Sequence, residues 1–255
     1  MTEVERRWQA RRELWTKSLG PLELAGKRVL DAGTGEGHCT RYLAECNPSE
    51  LVSITCLAEE IPPAQARLGE FADRVRFEVA DLANLSTVPA ADFDVVVGDF
   101  LIAAVATYTP FREIDVLGEL ARVLKPGGRL VITGWDLWQA PRDRLDASLR
   151  ELFDFRSAAA RLGGREPFRE HPRWWVERRL AELDAPPERT EVVADVHRAL
   201  SWAGRQTRRS LENVEPAALR AELEMKLAEL ERGVVDHPRL AAGVHFGDLY
   251  AVVGL

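Results

Sequence analysis

Short apolar runs alternate with stretches of helical periodicity through the first half of the chain. The apolar runs have the length of buried strands and cover residues 28–32, 51–57, 75–80, 93–98 and 129–135. Helical spacing is found between them, at residues 35–46, 62–73 and 111–124. Strands that alternate with helices are typical of a mostly parallel sheet with helices on both faces. The pattern therefore predicts an α/β fold.

The helix predicted over residues 111–124 has a clear apolar stripe. Ile114, Leu117, Ala121 and Leu124 recur at helical spacing, so we expect this face to pack on the sheet. The stretch KPGG that follows, residues 125–128, ends the helix and turns the chain into the next strand.

After residue 135 the pattern changes. One long charged segment precedes the strand-like run 190–197, and a second lies between this run and the last one, 248–254. Two further strands bring the predicted sheet to seven. We expect one domain with two helical insertions that form a cap. The predicted parts are an N-terminal helical segment (1–26), a core (27–135) and the insertions (136–190 and 198–243).

Composition narrows the classes of protein that the chain can represent. Its 255 residues carry a net charge of -7 at pH 7, which argues against a general nucleic-acid binder. No run approaches the roughly 20 apolar residues of a membrane helix, and the charged start does not resemble a signal peptide. The three cysteines share no CxxC spacing, so we expect free thiols and no metal site. A soluble, cytoplasmic protein is predicted.

The stretch RVLDAGTGEGH, residues 28–38, places three glycines between the first strand and a helix. Ligands of such sheets bind at this position. A Walker loop would require Lys followed by Ser or Thr, whereas His38 and Cys39 follow Gly37. The dinucleotide fingerprint fails as well, since its third glycine would fall at His38.

The motif VLDAGTGEG instead resembles the first motif of class I S-adenosylmethionine-dependent methyltransferases. Further stretches follow in the order of that family: RVRFEVADLANL, DFDVVVGDF and ELARVLKPGGRLVI. Together they cover about residues 27–135. The resemblance implies a Rossmann-like seven-stranded sheet, with S-adenosylmethionine as cofactor and S-adenosylhomocysteine as product.

The resemblance also implies roles for single residues. Asp31 would bind the methionyl ammonium, although it could instead only cap the loop, and Asp81 would accept from the adenine amino group. Glycines let the ligand approach the backbone, and the start of the next helix favours the methionyl carboxylate. The predicted cofactor residues in these motifs are Asp31, Ala32, Gly33, Gly35, Gly37, Asp81 and Leu82, whose backbone would meet an adenine ring nitrogen.

One position departs from the family. The acid that binds the ribose hydroxyls would align with Cys56 or Leu57, and neither side chain can do so. Glu59 is the nearest carboxylate along the chain, and we predict it as the ribose ligand. Glu60, or no acid at all, is the alternative.

Methyl transfer depends mainly on positioning, so no universal catalytic signature is expected. Two residues are candidates for chemistry. Asp99 follows the fourth strand and would border the methyl group, as a cofactor ligand, an amine ligand or a loop cap. His245 precedes the last strand and would act as a base or stay on the surface.

Aromatic side chains are the candidates for acceptor binding. Val4, Trp8, Trp15 and Leu19 share one helical face at the N-terminus, and the loop expected after the fourth strand holds Phe100. Simple packing of helices is the alternative for each tryptophan. The predicted acceptor residues are Trp8, Trp15, Phe100, Trp135 and Trp174, and the insertions add Trp138, Trp175 and Trp202.

The sequence thus predicts methyl transfer to a small-molecule acceptor, without a nucleic-acid or membrane partner. A protein or peptide acceptor is the first alternative. The second is a protein that binds S-adenosylmethionine without methyl transfer, or uses other sulfonium chemistry. Exposed leucine stripes on the predicted cap could form a homodimer contact.

Overall fold

The computed structural model describes residues 3–136, 141–197, 201–235 and 237–255. Trp138 and the side chain of Trp202 lie outside what it describes. The chain divides into two compact units. The sheet unit comprises residues 9–136, 170–193 and 249–255, and the helical unit comprises 1–8, 137–169 and 194–248. Residues 170–190, placed by the sequence in the first insertion, belong to the sheet unit.

Seven strands of the described chain form one sheet in the order β3-β2-β1-β4-β5-β7-β6. This confirms the predicted seven-stranded α/β fold. The neighbours β1–β2, β2–β3, β1–β4 and β4–β5 are parallel. The strands are β1 Arg28–Ala32, β2 Glu50–Thr55, β3 Val75–Val79, β4 Phe93–Gly98, β5 Leu124–Asp136, β6 Pro187–His197 and β7 Val244–Gly254.

Helices connect these strands, as the periodicity predicts. The described helices are α1 Glu3–Leu19, α2 His38–Glu45, α3 Ile61–Leu68, α4 Leu101–Tyr108, α5 Glu113–Val123, α6 Arg144–Leu162, α7 Arg173–Glu182, α8 Ser201–Leu211, α9 Ala217–Val235 and α10 Pro238–Ala242. None of them is long and apolar enough to cross a membrane.

The strand order reverses between β1 and β4, which lie side by side at the centre of the sheet. Asp31 on β1 is in register with Ser53 on β2 and with Val97 on β4. The core of β1 is fully buried, at Val29 and Leu30. In an open parallel sheet, ligands bind at such a reversal, beyond the carboxyl ends of the strands.

Two local predictions are wrong. A helix, α4, replaces the loop expected after the fourth strand, because the apolar run LIAAVATY buries most of its side chains. On α5 the buried residues are Val116, Leu117, Leu120 and Val123, whereas Ile114 is half exposed. At about 100° per residue, Ile114 lies on the flank of Leu117 that points away from the other three.

In the helical unit, α6 packs against α8 and α9. Leu145, Leu149, Leu152 and Phe153 are buried and form the inward face of α6. Leu227 and Leu230 of α9 are buried as well. The charged composition of these segments is therefore carried by the outer faces of an ordinary helical core.

Candidate active site

The glycine loop links the end of β1 to the start of α2. Gly33, Gly35 and Gly37 all have positive φ angles, of 94°, 48° and 78°. A Cβ at Gly37 would lie 2.9 Å from the Cα and Cβ of Ala64, so this glycine lets α2 pack closely on α3. A Cβ at Gly35 would meet open space instead. Gly35 therefore marks the side of the loop that a ligand can approach.

Asp31 lies at the bottom of this loop and is fully buried. Its Oδ2 accepts hydrogen bonds from Thr40 Oγ1 at 2.6 Å and from Ser53 Oγ at 2.8 Å. Its Oδ1 is buried and has no hydrogen-bond partner within the described residues. Burial raises the pKa of Asp31 to about 7, although the Thr40 and Ser53 hydroxyls oppose this rise. A buried carboxylate oxygen without a donor suits a cationic ligand group.

Asp99 follows β4 and is held from two sides. Its Oδ1 accepts hydrogen bonds from Trp15 Nε1 at 2.8 Å and from Thr133 Oγ1 at 2.6 Å. Trp15 belongs to α1 and Thr133 to β5, so two distant segments orient one carboxylate. The charge of Asp99 also contributes to the raised pKa of Asp31. The two carboxylates therefore lie close enough for their charges to interact at the strand reversal.

Phe100 begins α4 in a left-handed conformation, with φ of 52°. Its N–H donates to Thr133 Oγ1 at 3.0 Å, and the Arg11 guanidinium lies 4.0 Å from the centre of its ring. A non-glycine residue in this region costs about 1–3 kcal/mol, and such residues concentrate at functional sites. Trp15 is 3% exposed, so it reaches the site from within the core rather than from an open surface.

Carboxylates also gather at the ends of β2 and β3. Strand β2 ends at Thr55, two residues earlier than predicted, and a short 3-10 turn then carries Glu59 and Glu60. Thr55 Oγ1 donates to Glu60 Oε2 at 2.6 Å, whereas Glu59 is exposed. The charges of Glu60, Asp81 and Glu59 each raise the pKa of the Cys56 thiol, after the larger effect of burial. Both candidate ribose acids therefore lie near Asp81.

Asp81 itself shapes the turn that it begins. Its Oδ1 accepts from the Ala83 N–H at 2.9 Å, and its carbonyl accepts from the Asn84 N–H at 2.9 Å. The Leu82 side chain is buried next to this turn. The local geometry thus fixes the backbone at Leu82, and the contacts of Asp81 and Leu82 with adenine stay predictions.

A family model described as a methyltransferase domain matches residues 29–128. The match contains the glycine loop, Asp31, Asp81 and Asp99, at the strand reversal where this fold binds its ligand. Residues 29–128 therefore form a methyltransferase domain of class I.

Relatives of this methyltransferase differ in what their names say they act on. The chain is 29% identical over 197 residues to 27-O-demethylrifamycin SV methyltransferase of Amycolatopsis mediterranei, covering 76% of this chain and 66% of that one. It is 31% identical over 127 residues to an S-adenosyl-L-methionine-dependent Diels-Alderase of Talaromyces variabilis, covering 48% and 41%. The chain thus spans about two fifths to two thirds of the length of these relatives.

Solved structures confirm the fold of the methyltransferase. An inferred methyltransferase from Bacillus halodurans C-125 superposes with a TM-score of 0.64 at 17% identity. The superposition covers 94% of this chain and 96% of that chain. The whole described architecture, beyond the matched domain, is therefore of a kind already seen in crystals.

S-adenosylmethionine is the cofactor of this family, and the described residues fit it. The ligand carries an ammonium, a carboxylate and a sulfonium. Asp31 Oδ1 is the buried acceptor that an ammonium requires, and the Cβ position of Gly35 faces open space. Backbone N–H groups at the start of α2 suit the methionyl carboxylate. Asp31 and Asp99 together favour a ligand of positive charge.

The remaining predicted residues lie in different places. Trp135 is buried, and its backbone N–H donates to Glu170 Oε2 at 3.3 Å. Trp174 is exposed at the start of α7, and Trp8 is half-buried on α1. His245 Nε2 lies 2.6 Å from Asp248 Oδ1 in the helical unit. Roles for these residues in acceptor binding, and for His245 as a base, stay predictions.

Sequence reasoning missed the residues that hold the two carboxylates. Thr40 and Ser53 orient Asp31, and Thr133 orients Asp99. A signal existed for Ser53, which is a polar residue in the middle of the buried strand Glu50–Thr55. A buried hydroxyl in an apolar strand requires a polar partner, so it points to the neighbouring Asp31.

Proposed function

We propose that this protein transfers the methyl group of S-adenosylmethionine to a small-molecule acceptor. One observation carries the cofactor half of the proposal: the buried Asp31 carboxylate keeps Oδ1 without a donor in the part of the chain that is described. The acidic net charge and the rifamycin-modifying relative support a small molecule as the acceptor.

In this proposal the residues of the chain bind and position, because the cofactor supplies an already activated methyl group. Asp31 holds the methionyl ammonium and Glu59 the ribose, while Asp81 and Leu82 hold the adenine. Asp99 lies beside the sulfonium end, where its Oδ1 is occupied by Trp15 and Thr133. Holding both reactants in line supplies most of the rate enhancement that such a displacement requires.

A second function has a specific observation in its favour. One relative is named a Diels-Alderase that depends on S-adenosyl-L-methionine. The displaced ribose acid also departs from the usual methyltransferase pattern. In this alternative the same residues bind the cofactor, and no methyl group is transferred.

The deciding experiment uses S-adenosylmethionine with a deuterated methyl group. The purified protein is incubated with it and a cell extract, and small and large fractions are analysed by mass spectrometry. We expect a methylated small molecule that is about three mass units heavier than the same product made with unlabelled S-adenosylmethionine. Label in proteins would favour a protein acceptor, and label in neither fraction, with cofactor binding intact, would favour the second function. An Asp31→Asn variant controls for transfer by enzymes of the extract.

A further inference from the structure

His171 belongs to none of the cofactor motifs, yet it sits in a well-defined polar pair. Its Nε2 lies 3.7 Å from Oε1 of Glu113, the first residue of α5. The imidazole stacks on Trp175, with ring centres 4.2 Å apart. Tyr250 Oη donates a hydrogen bond of 2.8 Å to the His171 carbonyl. The backbone and the ring face are therefore held in place, and the buried Nε2 faces Glu113 without a hydrogen-bond partner among the described residues.

This pair lies at the same edge of the sheet as the cofactor loop. Glu170, the residue before His171, accepts a hydrogen bond of 3.3 Å from the backbone N–H of Trp135, next to the end of β5. Arg173 lies 3.8 Å from Asp136, the last residue of β5. The same strand end carries Thr133, which binds Asp99. One strand end thus anchors both Asp99 and the segment that holds His171.

Exposed apolar side chains adjoin the pair in sequence. Phe111 and Ile114 lie on either side of Glu113 and are 89% and 51% exposed. Trp174 lies in the first turn of α7, three residues after His171, and is 61% exposed. Phe111 also has a left-handed backbone, with φ of 72°. Apolar side chains that stay exposed next to placed polar groups offer a surface that an apolar ligand can cover.

We propose that His171 accepts a proton from the acceptor, that Glu113 positions its imidazole, and that the acceptor is an apolar molecule methylated at a hydroxyl group. The inference rests on the proposed function and names the substrate class of that site. Phe111, Ile114 and Trp174 would contact the apolar part of the acceptor.

The step balances without a further reactant. The hydroxyl proton moves to an imidazole nitrogen, and a lone pair of the oxygen forms the new bond to the methyl carbon. The carbon–sulfur bond breaks, and its electron pair stays on sulfur. The products are a methyl ether, a neutral thioether and a proton that His171 releases to water.

The charges around His171 suit this role. Burial lowers the pKa of His171, and the Glu113 carboxylate partly opposes this. The lowered pKa favours the neutral imidazole, which is the form that accepts a proton. Tyr250 donates its hydrogen bond to the backbone carbonyl of His171, and Arg173 forms an ion pair with Asp136. Arg179 lies over Trp175, on which the imidazole stacks.

The first test measures binding with 2-naphthol, an apolar molecule with one hydroxyl. Histidine labelled with ¹³C gives five imidazole signals by NMR, and His171→Asn assigns one of them. With S-adenosylhomocysteine present, we expect 2-naphthol to shift the His171 signal saturably. Phe111→Ser and Trp174→Ser should each raise the Kd at least fivefold. Met225→Ser, which removes a 66% exposed side chain from α9, is the matched control.

An unchanged His171 signal, or an equal loss of binding in Met225→Ser, would overturn the proposal. This result does not depend on methyl transfer, so it separates this inference from the proposed function. If the wild type labels no small molecule, the proposed function fails, and the 2-naphthol titration still decides whether this site exists.

The second test measures transfer to the small-molecule fraction of the extract. His171→Asn should lower the rate by about 10²–10⁴-fold, with affinity for S-adenosylhomocysteine within twofold of wild type. His237→Asn is the control, because it changes a histidine that caps α10 and can keep that cap. In Glu113→Gln, loss of the carboxylate should move the rise of rate with pH to lower pH. Full activity in His171→Asn would disprove the role as a base.

Discussion

The indole N–H of Trp15 donates a hydrogen bond of 2.8 Å to Oδ1 of Asp99, a residue 84 positions away in the chain. Trp15 lies on α1 and Asp99 follows the central strand β4. Trp15 also packs against Tyr42 of α2, with ring centres 5.5 Å apart. The N-terminal helix is thus part of the site, because it orients a carboxylate at the strand reversal.

The bond between Trp15 and Asp99 can be removed without removing the ring. Trp15→Phe should lower the free energy of unfolding by about 2 kcal/mol, since a buried hydrogen bond to a charged group is lost. Affinity for S-adenosylhomocysteine should fall several-fold as Asp99 loses one of its two donors. Urea unfolding and calorimetry measure the two effects. Trp174→Phe, at an exposed position, should change neither, and equal effects in both variants would contradict this prediction.

Asp31 should make the cofactor-free protein less stable as the pH rises. Burial raises its pKa from 3.8 to about 7, so the folded state holds a proton that the unfolded state has lost. The contribution of Asp31 to stability is full below pH 3.8 and is lost between there and about pH 7. Asp31→Asn should remove part of this decline. Urea unfolding at pH 5 and pH 8 measures this loss of stability. An equal loss in the wild type and in Asp31→Asn would refute the prediction.

Cofactor binding should have the opposite pH dependence. The ligand ammonium requires the ionised carboxylate of Asp31, whose pKa is about 7 in the free protein. Affinity for S-adenosylhomocysteine should therefore rise from pH 6 to pH 8, by at most tenfold per pH unit below the pKa. Calorimetry at several pH values measures this. Asp31→Asn should bind at least tenfold more weakly and show a flat profile, and a flat profile in the wild type would count against the assignment.

Two glycines of the loop should fail in different ways when changed to alanine. At Gly37 the new Cβ would lie 2.9 Å from Ala64, so Gly37→Ala should lower stability by about 2 kcal/mol or more. At Gly35 the Cβ meets open space, so Gly35→Ala should mainly weaken cofactor binding. Gly26→Ala is the matched control, since Gly26 has a φ of 76° and no atom near its Cβ position. If Gly35→Ala lost no more affinity for the cofactor than Gly26→Ala, Gly35 would have no role in binding.

The ribose acid can be assigned by comparing neighbours. Glu60 already accepts a hydrogen bond from Thr55, whereas Glu59 is exposed. Glu59→Gln should lower affinity for S-adenosylhomocysteine about tenfold, and Glu60→Gln should lower it less. The two titrations use identical conditions, and a larger loss in Glu60→Gln would transfer the assignment to Glu60.

Much of this protein could be predicted from local sequence features. Apolar runs and helical spacing correctly indicate all seven strands, and the glycine loop together with the later motifs in their order indicates the family. The α4 helix was missed because a short apolar run has no periodicity that separates helix from loop. The prediction that Ile114 faces inward is wrong for a related reason. Four apolar residues at helical spacing do not fix which flank of the stripe faces the sheet, and one residue turns the helix by about 100°.

The sequence by itself determined the order of strands and helices along the chain and the kind of ligand expected at the loop after β1. Backbone periodicity and glycine conformations are local properties, so the sequence carries both. Only the tertiary structure decided which side chains hold the two carboxylates and how strongly burial raises the pKa of Asp31. Asp31 is held by α2 and β2, Asp99 by α1 and β5, and His171 by α5, α7 and β7. Hydrogen bonds and burial act over a few ångströms in space, and no spacing along the chain specifies which distant elements meet.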